Sequence, residues 1–276
     1  MYADDLKIFL PISSVRDCSY LQRDLDSLFS WCQENRLALN LSKCKTMSFC
    51  RRLNPVRFEY AIDGCTLDRV SRMLDLGILF DEKMNFSGHV ECIVSKAFSR
   101  LGFMKRICKQ FDDPYCLKSI YCALVRSVLE YASIVWSPGY AVYVDRIESI
   151  QKKFLLYALR HLGWRDDTFV LPPYEDRCGL ISLKTLSNRR TLFALMFTFD
   201  LLTCRKNAPD ILSMFDLNIP PRSLRVSNFF RVSQHRTNYG LFSPISSLSY
   251  TFNKFASCFD FNISRASFRR AVELTL

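Results

Sequence analysis

The hydrophobic pattern of this 276-residue chain changes its period at Gly88, and this change limits the fold more than any other feature. Before Gly88, short stretches of alternating apolar and polar residues surround one long helical stripe. After Gly88, apolar residues recur every three or four positions in long segments separated by Pro and Gly. Alternation is typical of half-buried strands, and the longer period is typical of amphipathic helices. The sequence therefore predicts an α+β protein, with a few antiparallel strands and a helix before a mainly helical remainder.

The first part of the chain carries turn and cap signals that divide it into short elements. Residues 2–10 are mostly apolar around two acids, which predicts a strand, a tight acidic turn and a second strand. Ser14, with Asp17 three residues later, is typical of a capping box at the start of a helix. The Asp63-Gly64 pair predicts a turn among short strands in the range 56–82.

The second part of the chain predicts a series of amphipathic helices. Asp113 before Pro114 is a typical helix start, and Pro138-Gly139 is a typical break. Beyond Pro220 the chain is rich in Ser, Arg and Phe with weak periodicity, which predicts an irregular basic end. The helices are expected around the stripes Val90–Cys108, Leu117–Val128, Val144–Ala158 and Leu183–Cys204.

The chain is basic, with 38 Lys and Arg against 27 Asp and Glu, and its net charge is +11. Such a balance favours polyanionic partners such as nucleic acid. No apolar run reaches the roughly 18–20 residues that a membrane-spanning helix needs. Asp4 and Asp5 stand where a secretory signal carries basic residues. We therefore expect an intracellular protein of the nucleus or cytoplasm, neither secreted nor embedded in a membrane.

The twelve cysteines and three histidines do not form a zinc-binding pattern. No two cysteines have the C-x₂-C or C-x₄-C spacing that structural zinc sites use. Zinc is therefore not expected, and the thiols are expected to be reduced and mostly buried. His89 is expected to be an ordinary residue at a helix start, since no neighbour in the sequence completes a catalytic site around it.

Asp4 and Asp5 form the sharpest chemical motif in the chain, because adjacent carboxylates at the tip of a turn repel each other. A divalent cation relieves this repulsion, and Mg²⁺ prefers carboxylate oxygens. In two-metal phosphoryl transfer, one ion activates the attacking 3′-hydroxyl and the other neutralises charge on the triphosphate and pyrophosphate. The alternative is a solvated acidic turn that holds no ion.

Several sequence blocks follow one another in a fixed order along nearly the whole chain. Tyr2-Ala3-Asp4-Asp5 precedes an apolar strand, and Trp31–Phe49 contains a Trp and then the pattern Asn-x-Leu-x-Leu-Asn-x-x-Lys. The later blocks are Leu76–Asp81, Leu129–Pro138, Arg146–Phe154 and His235–Gly240. In this order the blocks resemble the reverse transcriptases of non-LTR retrotransposons, of the LINE type and jockey-like.

The resemblance implies an RNA-directed DNA polymerase that uses Mg²⁺ to add deoxynucleotides to a primer on an RNA template. Asp4 and Asp5 would then be the catalytic metal ligands, and Lys43 would contact the nucleotide triphosphate or protonate pyrophosphate. The positions that match the family's primer contacts are Tyr2, Leu76 and Gly77. The implied partners are an RNA template with a DNA primer, or an RNA–DNA duplex.

The same resemblance divides the chain into three regions. Residues 1–87 would be a partial polymerase palm with a primer-grip-like hairpin, and residues 88–170 a helical thumb. Residues 171–276 would be a helical and then basic, irregular C-terminal region. Basic residues beside the apolar stripes of the thumb helices are placed to follow a duplex backbone. These nucleic-acid-binding candidates are Lys96, Arg100, Lys105, Lys109, Lys152 and Lys153.

The chain begins at its acidic motif, so the family's fingers, first palm strands and endonuclease domain have no counterpart in the sequence. Two-metal catalysis needs carboxylates from separate strands, and we therefore expect a truncated reverse transcriptase that cannot polymerise alone. Two alternatives stay open, namely a non-catalytic nucleic-acid-binding module and a pseudogene product without a role. Primer extension, salt-dependent duplex binding and the reading frame upstream of the start codon would separate the three.

Overall fold

The computed structural model describes residues 5–52, 54–111, 113–161, 172–219 and 228–276. The chain forms two compact units, Met1–Phe86 and Ser87–Leu276, which we call the N-terminal unit and the helical unit. The division after Phe86 falls beside the change of hydrophobic period at Gly88.

The N-terminal unit begins its regular structure with helix α1, Val15–Glu34. The carboxylate of Asp17 accepts hydrogen bonds from the backbone N–H groups of Ser13 and Ser14, each at 2.8 Å. These bonds hold the pKa of Asp17 below its usual value of 3.8. The predicted helix start is thereby confirmed, because the acidic side chain satisfies donors just ahead of the first turn.

Three two-stranded ladders follow α1. The strands are β1 (Lys45–Thr46), β2 (Ala61–Ile62), β3 (Cys65–Thr66), β4 (Asp68–Arg69), β5 (Arg72–Asp75) and β6 (Ile78–Asp81). β2 pairs with β3 and β5 with β6 in antiparallel fashion, whereas β1 and β4 pair in parallel. The parallel pair was not predicted, because two-residue strands carry no directional pattern in the sequence.

The predicted second strand of the acidic strand–turn–strand is wrong. Residues 6–10 have no strand structure, and the Phe9 side chain is 89% exposed. An extended segment persists as a strand only where a neighbour pairs with its backbone. The first three residues of the predicted strand–turn–strand, 2–4, lie outside the described residues.

The small core of the N-terminal unit joins α1 to the first hairpin. The Gln22 side-chain amide donates to the carbonyl of Ala61 at 2.8 Å and accepts from its N–H at 3.0 Å. Gln22 thus replaces a neighbouring strand at the edge of β2. The buried hydrophobic residues in the described part of this unit are Cys18, Cys32, Tyr60, Ile62 and Ile78.

The helical unit contains the long apolar stripes. Its main helices are α2 (Ser87–Ile107), α3 (Pro114–Tyr121), α4 (Ser127–Glu130), α5 (Ser133–Trp136), α6 (Ala141–His161), α7 (Tyr174–Leu180) and α8 (Leu186–Leu202). Asp113 caps α3, accepting from the N–H groups of Tyr115 and Cys116, so the predicted helix start is confirmed. A π-helical turn, Cys122–Arg126, joins α3 to α4.

The end of the helical unit is more regular than the sequence predicted. It contains α9 (Pro209–Leu212), α10 (Asn238–Leu241), α11 (Pro244–Lys254) and α12 (Arg265–Thr275). The prediction of an irregular end is wrong for α11 and α12, which both pack on α8. A phenylalanine cluster holds them there, because Phe199, Phe252 and Phe268 are almost wholly buried in one core.

None of the described helices combines the length and the apolar character needed to cross a lipid bilayer.

Candidate nucleic-acid interface

The acidic motif is only partly visible in the structure. Asp5 is exposed, whereas Tyr2 and Asp4 lie outside the described residues. Within the part of the chain that the structure describes, no three His, Cys, Asp or Glu side chains come together as metal ligands. The described residues thus do not assemble a magnesium site.

Lys43 stands at the end of a short 3₁₀ turn, Leu41–Lys43, just ahead of β1. Its backbone N–H donates to the carbonyl of Asn40 at 3.0 Å, and its side chain is exposed. The local turn therefore presents the ammonium group to solvent.

Leu76 and Gly77 form the two-residue tip of the β5–β6 hairpin, between the paired residues Asp75 and Ile78. Both tip residues have positive φ, +44° for Leu76 and +82° for Gly77, as in a type I′ turn. Glycine adopts this backbone without strain, but leucine at such a φ pays for the close approach of its Cβ to the backbone. The tip therefore holds a strained leucine that is 43% exposed.

Some basic residues of the helical unit lie close together where α2 packs against α6. Phe98 and Lys105 are seven residues apart on α2, and Lys153, Tyr157 and Arg160 follow one another on α6 at spacings of four and three. Residues at such spacings share one side of a helix. The packing of the two helices thus gathers cations and rings that are distant in sequence.

The rings and cations of this surface interleave. The Lys153 ammonium lies 4.2 Å from the centre of the Phe98 ring, and the Lys105 ammonium lies 5.4 Å from the centre of the Tyr157 ring. The Tyr157 hydroxyl donates to the carbonyl of Cys108 at 3.2 Å, which fixes its ring. Both distances are within the range of cation–π attraction. We call the surface formed by Phe98, Lys105, Lys153, Tyr157 and Arg160 the basic-aromatic face.

The cations on the basic-aromatic face repel one another. Burial lowers the pKa of Lys105, and the nearby positive charges of Lys153 and Arg160 lower it further. A like charge disfavours the charged form, so the smaller part of this shift, beyond the effect of burial, comes from the crowding of three cations. An anion placed over the face would relieve that repulsion.

The structure separates the six predicted nucleic-acid-binding residues. Lys96 is exposed but lies nine residues from Lys105, about two and a half helical turns away on the opposite side of α2. Arg100 donates to the carbonyl of Leu124 at 2.9 Å. Lys152 lies over the Tyr174 ring, 5.2 Å from its centre. Lys105 and Lys153 lie together on the basic-aromatic face, and Lys109 is exposed one turn beyond Lys105.

Arg160 belongs to the same face and was missed at the level of sequence. It lies seven residues after Lys153 on α6, and this spacing was the available signal. The apolar stripe of α6 marks its buried side, whereas the spacing of Lys153 and Arg160 places both cations on its exposed side.

A buried polar network on the inner side of α6 was also missed. The Glu148 carboxylate accepts from the Tyr174 hydroxyl at 2.5 Å and from the N–H groups of Leu186 and Ser187 at 3.2 and 2.6 Å. These two N–H groups open α8, so the carboxylate stabilises the positive end of that helix. Burial and the adjacent carboxylate raise the pKa of Tyr174 well above its usual value. Tyr174 therefore remains a donor across the physiological pH range.

His89 is confirmed as a packing residue at the start of α2. Its side chain is 3% exposed, and its ring meets Trp136 edge to face with centres 5.2 Å apart. Burial lowers its pKa below the usual value of 6.5.

Two known proteins are distantly similar to this chain. One is the RNA-directed DNA polymerase from mobile element jockey of Drosophila melanogaster, 24% identical over 157 residues, which are 56% of this chain and 17% of that protein. The other is an uncharacterized protein of Caenorhabditis elegans, 22% identical over 153 residues, which are 55% of this chain and 74% of that protein.

No family model matches the chain. No solved structure matches it either. The similarity to the jockey polymerase supports a distant relationship to the reverse transcriptases of non-LTR retrotransposons, in line with the resemblance of the sequence motifs.

Proposed function

We propose that the chain is a reverse-transcriptase-related protein of the non-LTR kind whose helical unit holds an RNA–DNA duplex by its sugar–phosphate backbone. The basic-aromatic face makes the contact. The net charge of +11 and the similarity to the jockey polymerase support this function. Within such a polymerase, Mg²⁺ at Asp4 and Asp5 would supply the chemistry of nucleotide addition to the held primer.

The observation that carries the proposal is the convergence of Lys105, Lys153 and Arg160 from two helices onto one surface. The positive charges of Lys153 and Arg160 lower the pKa of Lys105 beyond the effect of burial, so the crowding of these cations costs free energy in the isolated protein. Phosphates remove this cost and release their condensed counterions, which drives binding without regard to base sequence. The face is therefore suited to holding a duplex in position rather than to reading its sequence.

The rings of the face contribute a second element. Phe98 and Tyr157 lie directly against the two lysines and restrict their directions. A cation held in place loses less conformational entropy on binding a phosphate than a free surface lysine does. Tyr157 and Phe98 therefore hold the two ammonium groups in directions that suit a backbone with fixed phosphate spacing.

The proposal is tested by fluorescence anisotropy with a labelled RNA–DNA duplex over a series of salt concentrations. The variant Lys105→Gln/Lys153→Gln/Arg160→Gln is compared with Lys96→Gln/Arg205→Gln/Arg270→Gln, which removes the same charge from exposed sites elsewhere in the helical unit. Each lost phosphate contact reduces the slope of log affinity against log salt by about 0.7–0.9. We expect the first variant to lose about two to three units of slope and the control to keep most of its slope.

The same assay defines the results that contradict the proposal. Equal losses in the two variants would show that net charge, and not the basic-aromatic face, binds the duplex. A flat salt dependence of the unaltered protein would exclude backbone binding. Addition of EDTA is expected to leave duplex affinity unchanged, because lysine and arginine side chains make the contact without a bridging metal ion.

A further inference from the structure

A small cavity lies where α5, α8 and α11 pack together in the helical unit. Its volume is about 100 Å³. A water molecule needs about 10–15 Å³ of space measured in this way, so the cavity has room for several waters or one small ion. The polar residues of its wall are Ser133, Ser137, Ser187, Arg190, Thr191, Ser247 and Thr251.

Arg190 is the charged group of this wall, and only 6% of its surface is exposed. One of its terminal nitrogens, Nη2, lies 3.7 Å from Oε1 of Glu148. The other, Nη1, is buried and has no hydrogen-bond partner in the described part of the chain. A guanidinium carries five N–H donors, and leaving a buried charged donor unmatched is costly.

The charges around Arg190 do not balance. Arg189 makes a two-pronged pair with Glu130, and Arg126 also faces Glu130 at 3.6 Å. Glu148 is the carboxylate beside Arg190. Among the described residues, three arginines therefore share two carboxylates, and one positive charge remains in a largely buried cluster.

Glu148 does not satisfy all the hydrogen-bond donors of Arg190. Its oxygens already accept from the Tyr174 hydroxyl and from the first N–H groups of α8. The remaining positive charge and the free Nη1 donor are therefore available to an anion, while the serine and threonine hydroxyls of the wall rotate freely to donate to it.

We propose that this cavity binds a phosphate group, with Arg190 as the charged anchor and Thr191 and Thr251 as hydroxyl donors. The oxyanion is either inorganic phosphate or the terminal phosphate of a nucleic-acid strand, since both present the same tetrahedral oxygens. The site shares no residue with the basic-aromatic face, so it does not rest on the duplex-binding function.

The experiment measures phosphate binding by isothermal titration calorimetry and by the thermal unfolding midpoint, at constant ionic strength set with sodium chloride. The test variant is Thr191→Val/Thr251→Val, which keeps side-chain shape and leaves the Arg190–Glu148 pair intact. The matched control is Thr191→Ser/Thr251→Ser, which keeps both hydroxyls. Valine and serine have helix propensities close to that of threonine, so both variants are expected to fold.

The protein is expected to bind inorganic phosphate saturably and to unfold at a higher temperature with it. The valine variant should bind about tenfold more weakly or worse, because hydrogen bonds to a charged acceptor are the stronger kind. The serine variant should bind within a few-fold of the unaltered protein. A second arm uses a short DNA strand with and without its 5′-phosphate, in the Lys105→Gln/Lys153→Gln/Arg160→Gln background, so that duplex binding does not contribute.

Saturable binding in either arm that the valine variant weakens and the serine variant retains supports the proposal, and the arm that binds identifies the source of the phosphate. No saturable binding in both arms would overturn it and leave Arg190 hydrated by water. Binding that the valine variant leaves unchanged would also overturn it, because the phosphate would then occupy another place.

Discussion

The two units of this protein are stabilised in different ways. In the N-terminal unit, ladders of two to four residues per strand surround a small core, and Gln22 takes the place of a missing strand neighbour. In the helical unit, three helices bury a continuous cluster of phenylalanines. Free energy of folding scales with apolar area removed from water, so the helical unit holds the larger share. The unit with the clearest sequence motif is therefore the one with the weaker core.

The two units also differ in how their surface features arise. The N-terminal unit exposes large apolar side chains, among them Phe9, Trp31 and Leu74. The helical unit also exposes large apolar side chains, such as Phe103 and Val142, but its packing in addition brings together charges such as those of Lys105 and Lys153. The basic-aromatic face is thus a product of tertiary structure, whereas the acidic motif of the N-terminal unit is a local sequence feature.

The largest expected effect comes from the aromatic core of the helical unit. Phe199 is fully buried and stacks on Phe268 with ring centres 4.7 Å apart. Phe199→Ala should lower the free energy of unfolding of the helical unit by about 3–5 kcal/mol. Hydrogen exchange, read separately for each unit, should show the loss in 87–276 alone. In the N-terminal unit, Ile62→Ala is expected to lower the free energy of unfolding by only about 2 kcal/mol. A loss there larger than that of Phe199→Ala would show that the N-terminal unit does not have the weaker core.

The buried polar network gives the next effect. Glu148→Gln leaves the Arg190 charge without its carboxylate and should cost about 3 kcal/mol in urea unfolding. The double variant Glu148→Gln/Arg190→Met removes both charges and is expected to recover part of this loss, since no unpaired buried charge remains. A double variant as unstable as the single one would show that the hydrogen bonds at the start of α8, and not the charge, determine the cost.

Acid should weaken the helical unit through His89. Because burial lowers the pKa of His89 in the folded chain below 6.5, the unfolded chain binds a proton more readily. The free energy of unfolding should therefore fall as the pH drops below about 6.5, and the fall should stop below the folded-state pKa. His89→Phe is expected to flatten this part of the pH profile of urea unfolding midpoints. An unchanged profile in the variant would assign the acid sensitivity to other groups.

The smallest effect is expected at the hairpin tip. Leu76→Asn places a residue that tolerates positive φ where leucine is strained, and should stabilise the β5–β6 hairpin by about 1 kcal/mol. Gly77→Ala should have the opposite sign, since Gly77 has a φ of +82°. Slower amide exchange of the β5–β6 hairpin in the first variant and faster exchange in the second would show that Leu76, and not Gly77, is the strained residue of the tip. A neutral Leu76→Asn would show that the tip stores no strain.

Local signals in the sequence predicted local structure well. Asp17 marked the start of α1, Asp113 marked the start of α3, and the Val90–Cys108 stripe became the buried side of α2. Each of these depends on neighbours within one or two helical turns, where sequence spacing fixes spatial distance. Non-local features were not predicted. The β1–β4 pair, the packing of α12 on α8 and the position of Arg160 all depend on partners far along the chain.

The chain's own residues determined its period of hydrophobicity, its helix caps, its basic charge and its distant similarity to the jockey polymerase. The tertiary structure decided which cations share a surface, which carboxylate is buried and which arginine is left with a free donor. The physical reason is that helix packing brings side chains from separate segments within a few ångströms of each other. Charge interactions and hydrogen bonds depend on that distance, and a linear pattern does not contain it.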